Sequence, residues 1–477
     1  MESDDGEYEF STESINVSFD QMSDESISII LDRLPLSSIA QLSCTSTRMN
    51  RICNSPKFWR SIRINDEEKP VDSSQIASLC GKGTEIRNLS LNLNAQTCNP
   101  SILKLISKSC PYVVSLSLYL RNEPLINRSP GNNAFPIEDL LSFLTNSKYI
   151  RSFQFLDSLL IDDNHLVNVL PHLQMMREID LSGCGSLSDS TLIKLAQQCP
   201  SLQLIDISRL PITGRCIKQI FRYCNAIRVF RANYCLEIQT DSFQIDQIES
   251  FSSIVELSVI DTPIKLDHVL NRCTSIKSLY ASYSLHDSIL IPFLLKSRSI
   301  EDLYIGSGAR VTISSLLLAV QNSGSRLRSL TFHPLEDFAV PSDEVMRMIC
   351  STCKNLKNLS LAHTQEISTY WVIEAIKTLP LETISLFGWK NCNSSSLRLL
   401  IPHISRLKMF CISGCPKLTH QGIIGFLRST TKLLVAKFED TGANVKFTGS
   451  IHPDVIPCLI DVFPKIREVS PGILYLQ

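Results

Sequence analysis

Few residues in this sequence could do chemistry, and their spacing limits what they can do. Cys350 and Cys353 form its one C-x-x-C, a separation at which two thiolates can supply half of a tetrahedral zinc site. No second pair stands at ligand distance, so the pair reads as packing thiols. His333 and His363 each follow a strand-like segment, but with no third ligand nearby they read as a solvated surface pair and not as a metal site. Gly81-Lys82-Gly83 lacks the upstream glycine of a phosphate-binding loop and the hydroxyl residue after its lysine, and neither G-x-S-x-G nor H-E-x-x-H occurs. The expectation is a non-enzyme with no catalytic residue, no metal and no cofactor. Recognition chemistry is better supplied. Arg231, Asn233, Tyr280, Tyr304, His333, Phe387 and Trp389 are the aromatic and polar types that concentrate in binding surfaces. They lie far apart along the chain, so only an architecture that sets distant segments side by side can make one site of them.

A repeat supplies that architecture. The pattern apolar-x-x-apolar-x-apolar recurs from Trp59 to Ile466, and thirteen of its fifteen successive spacings fall between 22 and 29 residues. In residues 176–208, Ile179 and Leu181 alternate around Asp180, the period of a strand with one buried face. Leu192, Ile193, Leu195 and Ala196 then fall at helical spacing, with Asp189 read as the N-cap and Pro200 as the stop. A single strand-helix unit cannot bury its apolar side alone, so stacking is obligatory. The residue between the two strand anchors faces away from the helices, which puts Ser90, Ser117, Gln154, Asp180, Asp206, Arg231, Ser258, Tyr280, Tyr304, Thr331, Ser360, Ser385, Cys411 and Lys437 on one wall. Early units make it acidic, with Glu178, Asp180 and Asp206; the middle adds Arg231, Asn233 and the tyrosines, and a later unit Phe387 and Trp389. The widest spacing, 37 residues, holds the turn-rich run 127–133, expected to form a projecting loop.

These units resemble cysteine-containing leucine-rich repeats, most closely over residues 182–208, and the resemblance covers roughly residues 59–477. It implies an α/β solenoid of about 16 units: a parallel-sheet horseshoe with outer helices and a C-terminal cap. The bend has a physical source, because strands sit about 4.8 Å apart while packed helices need about 8–10 Å, so each unit turns the stack by roughly 18–27°. Cys110, Cys199, Cys224, Cys273 and Cys353 recur at helix ends, and Cys184, Cys235 and Cys415 recur just after strands. In the latter place the resemblance implies a buried residue that satisfies backbone groups between coils.

Residues 19–58 differ from the array. Ile27, Ile30, Leu31 and Leu34 share a helical face, Pro35 breaks it, and Ile39 and Leu42 begin another. Two or three short helices are expected, too small to be stable alone. The segment is similar to an F-box, the motif by which substrate receptors attach to the Skp-family adaptor of a ubiquitin ligase. Met22, Glu25, Ile27, Ile30, Leu31, Leu34, Pro35, Ile39 and Leu42 match its frame, and Met49 stands where the family has tryptophan. Ser23 replaces the usual proline. These ten positions, Met49 among them, are the expected adaptor contacts, with Ile29, Leu36 and Met49 free for a surface beyond a mere cap.

Composition limits the partners. Forty-six basic against 47 acidic residues in 477 give a net charge of −1, which argues against a nucleic-acid or membrane-surface role. Seventeen cysteines without a secretory signal imply reduced thiols and a cytoplasmic or nuclear location. Residues 1–18, acidic with no lysine or arginine, read as a disordered tail. The reading is a non-catalytic substrate receptor of a Skp–cullin–F-box ligase: it docks by residues 19–58, reaches cullin and RING subunits through the adaptor, and holds an unidentified protein on the concave wall. The alternative is a non-ligase scaffold or inhibitor whose N-terminal helices only cap the solenoid.

Overall fold

The structure is a computed structural model that describes residues 22–34, 36–65, 81–94, 101–121, 137–157, 161–239, 252–273, 275–429, 435–441, 469–470 and 473–475. Residues 1–18, the run 127–133, Pro35 and most of the expected terminal cap lie outside them.

The head holds four short helices, one more than the hydrophobic pattern indicates: Asp24–Leu31 (α1), Leu36–Ser43 (α2), Thr47–Cys53 (α3) and Pro56–Trp59 (α4). The fourth is a single turn opened by Pro56, whose fixed φ and missing N–H suit a first helical position. Ser23, the departure from the F-box pattern, is the N-cap of α1, and its Oγ accepts from Ser26 N at 3.2 Å.

From Ser61 onward fifteen strands form one sheet, each pairing in parallel with the next in sequence. Val469–Ser470 and Ile473–Tyr475 close its far edge antiparallel. Among the described residues helices stand between most successive strands, so the chain is an α/β repeat solenoid. One hydrophobic cluster runs without interruption from Ile27 in the head to Phe426. The head and the array therefore share a core, as a small helical unit requires.

Two recurring devices join the coils. An aspartate at the first position of a helix accepts hydrogen bonds from the residues that open the next coil's helix: Asp163 from Ser188, Asp287 from Thr312 and Asp343 from Ser368. Asp189 belongs to this set and is not the N-cap of its helix; Ser188 is. Its carboxylate accepts from Thr213 N at 2.7 Å, Thr213 Oγ1 at 3.0 Å and Cys216 N at 2.9 Å. Cysteine is the second device. Cys184 Sγ donates to Phe155 O and Cys235 Sγ to Ile207 O, each at 3.2 Å, while Cys199 Sγ donates to Leu173 O at 3.1 Å. These thiols are buried, and burial pushes those of Cys199 and Cys224 up to about 12. They are neutral donors between coils, inert as nucleophiles.

Candidate functional site

Two surfaces come from the residues singled out in the sequence. The first is on the head. Asp24, in the first turn of α1, pairs with Arg48 at 2.8 Å and Arg51 at 2.6 Å on α3, fixing the two helices against each other. The hydrogen bond from Arg48 is the main cause that holds the Asp24 carboxyl below its usual range. With α1 so oriented, Ile27 and Leu31 are fully enclosed and meet Ile39 and Met49, which are 3% and 8% exposed. This corrects the expectation for those four residues. They form the interior of the head, because four short helices can bury only one side of α1 and that side takes them. Met49 in particular is core and not a spare surface group. Ile29 and Ile30 on α1 and Leu34 just beyond it stay exposed, by 64%, 36% and 37%, as does Glu25. Met22, Leu36 and Leu42 are partly buried against the core. Three large apolar side chains thus reach solvent on a unit whose core is otherwise closed.

The second surface is the face of the sheet turned away from the helices. The registers place Asp180, Asp206, Arg231, Ser258, Tyr280, Tyr304, Thr331, Ser360, Ser385, Cys411 and Lys437 in one continuous row, each beside the next. From Asp180 to Cys411 the residues on either side of each row member are buried; Asp206, Ser258 and Cys411 are buried too, so the other row members are the accessible points of this wall. Tyr280 and Tyr304 are half-buried, with ring centroids 6.3 Å apart and planes tilted by 37°. Burial, and then the charges of Asp302 and Glu256, raise the Tyr280 phenol, while burial and the neighbouring Tyr234 and Asp261 raise Tyr304. Both hydroxyls are therefore protonated donors. The chain beyond the strand leaves room for the Tyr304 ring: a Cβ on Gly306 would lie 2.8 Å from its Cε1.

Arg231 is not a free cation. Its Nε donates to Glu256 Oε1 at 2.6 Å, and its Nη1 lies 3.8 Å from Asp206 Oδ2. That hydrogen bond to Glu256 is the chief reason the guanidinium is raised above its ordinary value. Asp206, almost wholly buried, is shifted up mainly by burial and then by Asp180. Asn233 Oδ1 accepts from Ser258 Oγ and Ile260 N, both at 2.8 Å, which ties the amide to the coil that precedes that of Tyr280. Sequence reasoning missed Glu256 and Tyr234. Glu256 stands two positions before row residue Ser258, so the same period-2 count could have found it.

Further along, His333 and Phe387 do meet: the rings are edge to face at 5.0 Å, and His333 Nε2 bonds Ser360 Oγ at 2.8 Å. His363 Nε2 bonds Pro334 O at 2.9 Å. The two histidines are not a solvated pair, because burial, helped by His363, lowers His333 to about 4. Trp389 leaves the site altogether. It is fully buried and its Nε1–H donates to Ile367 O at 2.9 Å. Gly388, at φ +76°, turns the chain after the strand and sends the indole into the core. Among the described residues no group of three or more potential ligands could hold a metal, and no helix is long and apolar enough to cross a membrane. The wall can bind through aromatic faces, phenol donors and carboxylates.

Among curated proteins no sequence relative is found. The chain is similar in fold to one in the crystal structure of the Rad7 and Elc1 complex in yeast, at 16% identity, covering 84% of this chain and 90% of that one with a TM-score of 0.44. Residues 19–61 match the F-box domain family, so the helical head is an F-box domain.

Proposed function

We propose that the chain is the substrate-recognition subunit of a Skp–cullin–F-box ubiquitin ligase. The F-box, residues 19–58, docks on a Skp-family adaptor, and through it on cullin and RING subunits. Residues 59–477 are a leucine-rich-repeat array of the cysteine-containing kind. Arg231, Asn233, Tyr280, Tyr304, His333 and Phe387 are the stretch of wall that holds a protein substrate. The chain itself breaks no bond: it raises the effective concentration of substrate lysines beside a ubiquitin-charged enzyme. One observation carries the reading: within a domain matched as an F-box, Ile29, Ile30 and Leu34 stay exposed although the head already has a closed core shared with the array. A head that served only as a cap needs no second apolar side.

Affinity purification of the full chain from cells, against a variant carrying Ile29→Ser, Ile30→Ser and Leu34→Ser, tests this. Adaptor and cullin are expected with the first and not with the second. Recovery with neither sinks the ligase reading and leaves the non-ligase scaffold; equal recovery with both removes Ile29, Ile30 and Leu34 as the docking contact.

A further inference from the structure

A second surface runs along the edge of the sheet where the strands begin. The residue three positions before each row member is basic in nine coils: Arg60, Arg87, Arg151, Arg177, Arg228, Lys277, Arg328, Lys357 and Lys408. These positions are rungs of a backbone ladder, since each amide N–H donates to the carbonyl of the rung before it. Arg177 N meets Arg151 O at 2.8 Å, Gln203 N meets Arg177 O at 2.7 Å, and Arg228 N meets Gln203 O at 2.8 Å.

The later rungs are neutralised. Glu301 lies 2.8 Å from Lys277 and 3.5 Å from Arg328, and Glu382 lies 2.8 Å from Lys357 and 2.5 Å from Lys408. The middle rungs are not. Arg151, Arg177 and Arg228 form no ion pair with any described residue, Glu178 at the adjacent strand position included. Arg151 and Arg177 line a cleft of about 570 Å³ together with Gln203, with Met175, Pro200 and Tyr223 supplying apolar surface; Arg228 is the rung after Gln203. Met175 is 62% exposed and Tyr223 37%.

Spacing identifies the ligand. Rungs follow the strands at about 4.8 Å, so Arg151 and Arg228, three rungs apart, stand roughly 14 Å apart with Arg177 between them. An extended peptide advances about 3.3–3.4 Å per residue and shows alternate side chains on one face, so side chains i, i+2 and i+4 also span about 13–14 Å. A single phosphate needs guanidiniums that converge on one point; a row of them matches a series of single carboxylates. We propose that this edge docks an extended acidic segment of a protein partner, with Asp or Glu at alternate positions. Its carboxylates pair with Arg151, Arg177 and Arg228, and its intervening apolar groups lie on Met175 and Tyr223. The site is independent of the adaptor reading, because it requires only this chain.

The test is fluorescence anisotropy of a labelled decapeptide of alternating Glu and Ser titrated with the full chain. Saturable binding is expected, falling steeply as salt rises. Arg177→Glu with Arg228→Glu should weaken it at least about tenfold, and the milder pair Arg177→Gln with Arg228→Gln several-fold, with unchanged thermal melts. Lys218→Glu, which changes the charge by the same two units as the glutamine pair but on an exposed residue of the outer helix Arg215–Tyr223, should alter it less than about twofold. Several results would overturn the proposal: no saturation, equal binding of the Gln-Ser peptide, equal weakening by Lys218→Glu, or tighter binding of a peptide bearing one phosphoserine and no carboxylates. So would peptide binding that emerges only after residues 1–21 are removed, because the occupant would then be the protein's own acidic N-terminus.

Discussion

His333 gives the wall a measurable pH response. Its imidazole stands at about 4, against an ordinary value of 6.5, because burial beside Phe387 and Ser360 disfavours the cation and the neighbouring His363 adds to that. The native state thus binds a proton less readily than the unfolded chain. The stability that a neutral His333 contributes is complete above about pH 6.5, is lost as pH falls toward about 4, and is constant below. At about pH 5 the unfolded imidazole is almost fully protonated and the native one mostly neutral, a roughly thirtyfold bias toward unfolding, or about 2 kcal/mol. His333→Gln removes the titration and keeps a polar group for Ser360. Urea unfolding at about pH 7.5 and about pH 5 should show the parent losing about 2 kcal/mol more than the variant between those conditions. His363→Gln serves as the control that leaves His333 in place. Histidine-selective NMR gives the midpoint directly. An equal loss in parent and variant, or a His333 midpoint at or above about 6.5, would refute the packing described for this part of the wall.

Three further outcomes separate recognition from architecture. Tyr280→Ala with Tyr304→Ala should reduce the set of proteins recovered with the chain, measured by quantitative mass spectrometry, while adaptor recovery and the melting curve hold; joint loss of both points to unfolding instead. Trp389→Ala should cost about 3–5 kcal/mol in denaturant unfolding, since it empties a fully buried indole site and orphans Ile367 O, whereas a surface contact would cost nearly nothing. Asp189→Ala should destabilise by about 1–3 kcal/mol, because Thr213 and Cys216 lose their acceptor. Burial opposes ionisation of Asp189, but the hydrogen bonds from Cys216 and Thr213 prevail and hold its pKa down. That contribution is present above the unfolded carboxylate value and is lost as pH falls through the native one.

The array was legible because its signal is periodic and local. Counting apolar anchors places every row residue from Ser90 to Lys437, and the registers align them as counted. The side of a short helix that faces inward is harder to read. Ile27, Leu31 and Ile30 lie within five residues of α1, and which of them reaches solvent depends on where α3 packs, fixed by Asp24 with Arg48 and Arg51. Trp389 failed for a similar reason: its direction follows from the left-handed turn at Gly388, beyond the end of the alternating pattern. Arg231 takes its counted place in the row, but its partner Glu256 belongs to the next coil and meets it only when the coils stack. The basic edge was present in the sequence as a column three positions before the row; it stays invisible until the repeats are aligned by structure and its later members are seen to be paired.

The most direct measurement is calorimetric titration of a purified Skp-family adaptor into the full chain and into the Ile29→Ser, Ile30→Ser, Leu34→Ser variant. Those three side chains expose 64%, 36% and 37% of their surface, together roughly one and a third side chains. Covering them is worth about 2–4 kcal/mol, or about 30- to 1000-fold in affinity. The account predicts a saturable one-to-one complex with the parent chain, weakened by that factor in the variant at an unchanged melting temperature. No complex with the parent chain, or equal affinity for both proteins, would contradict it.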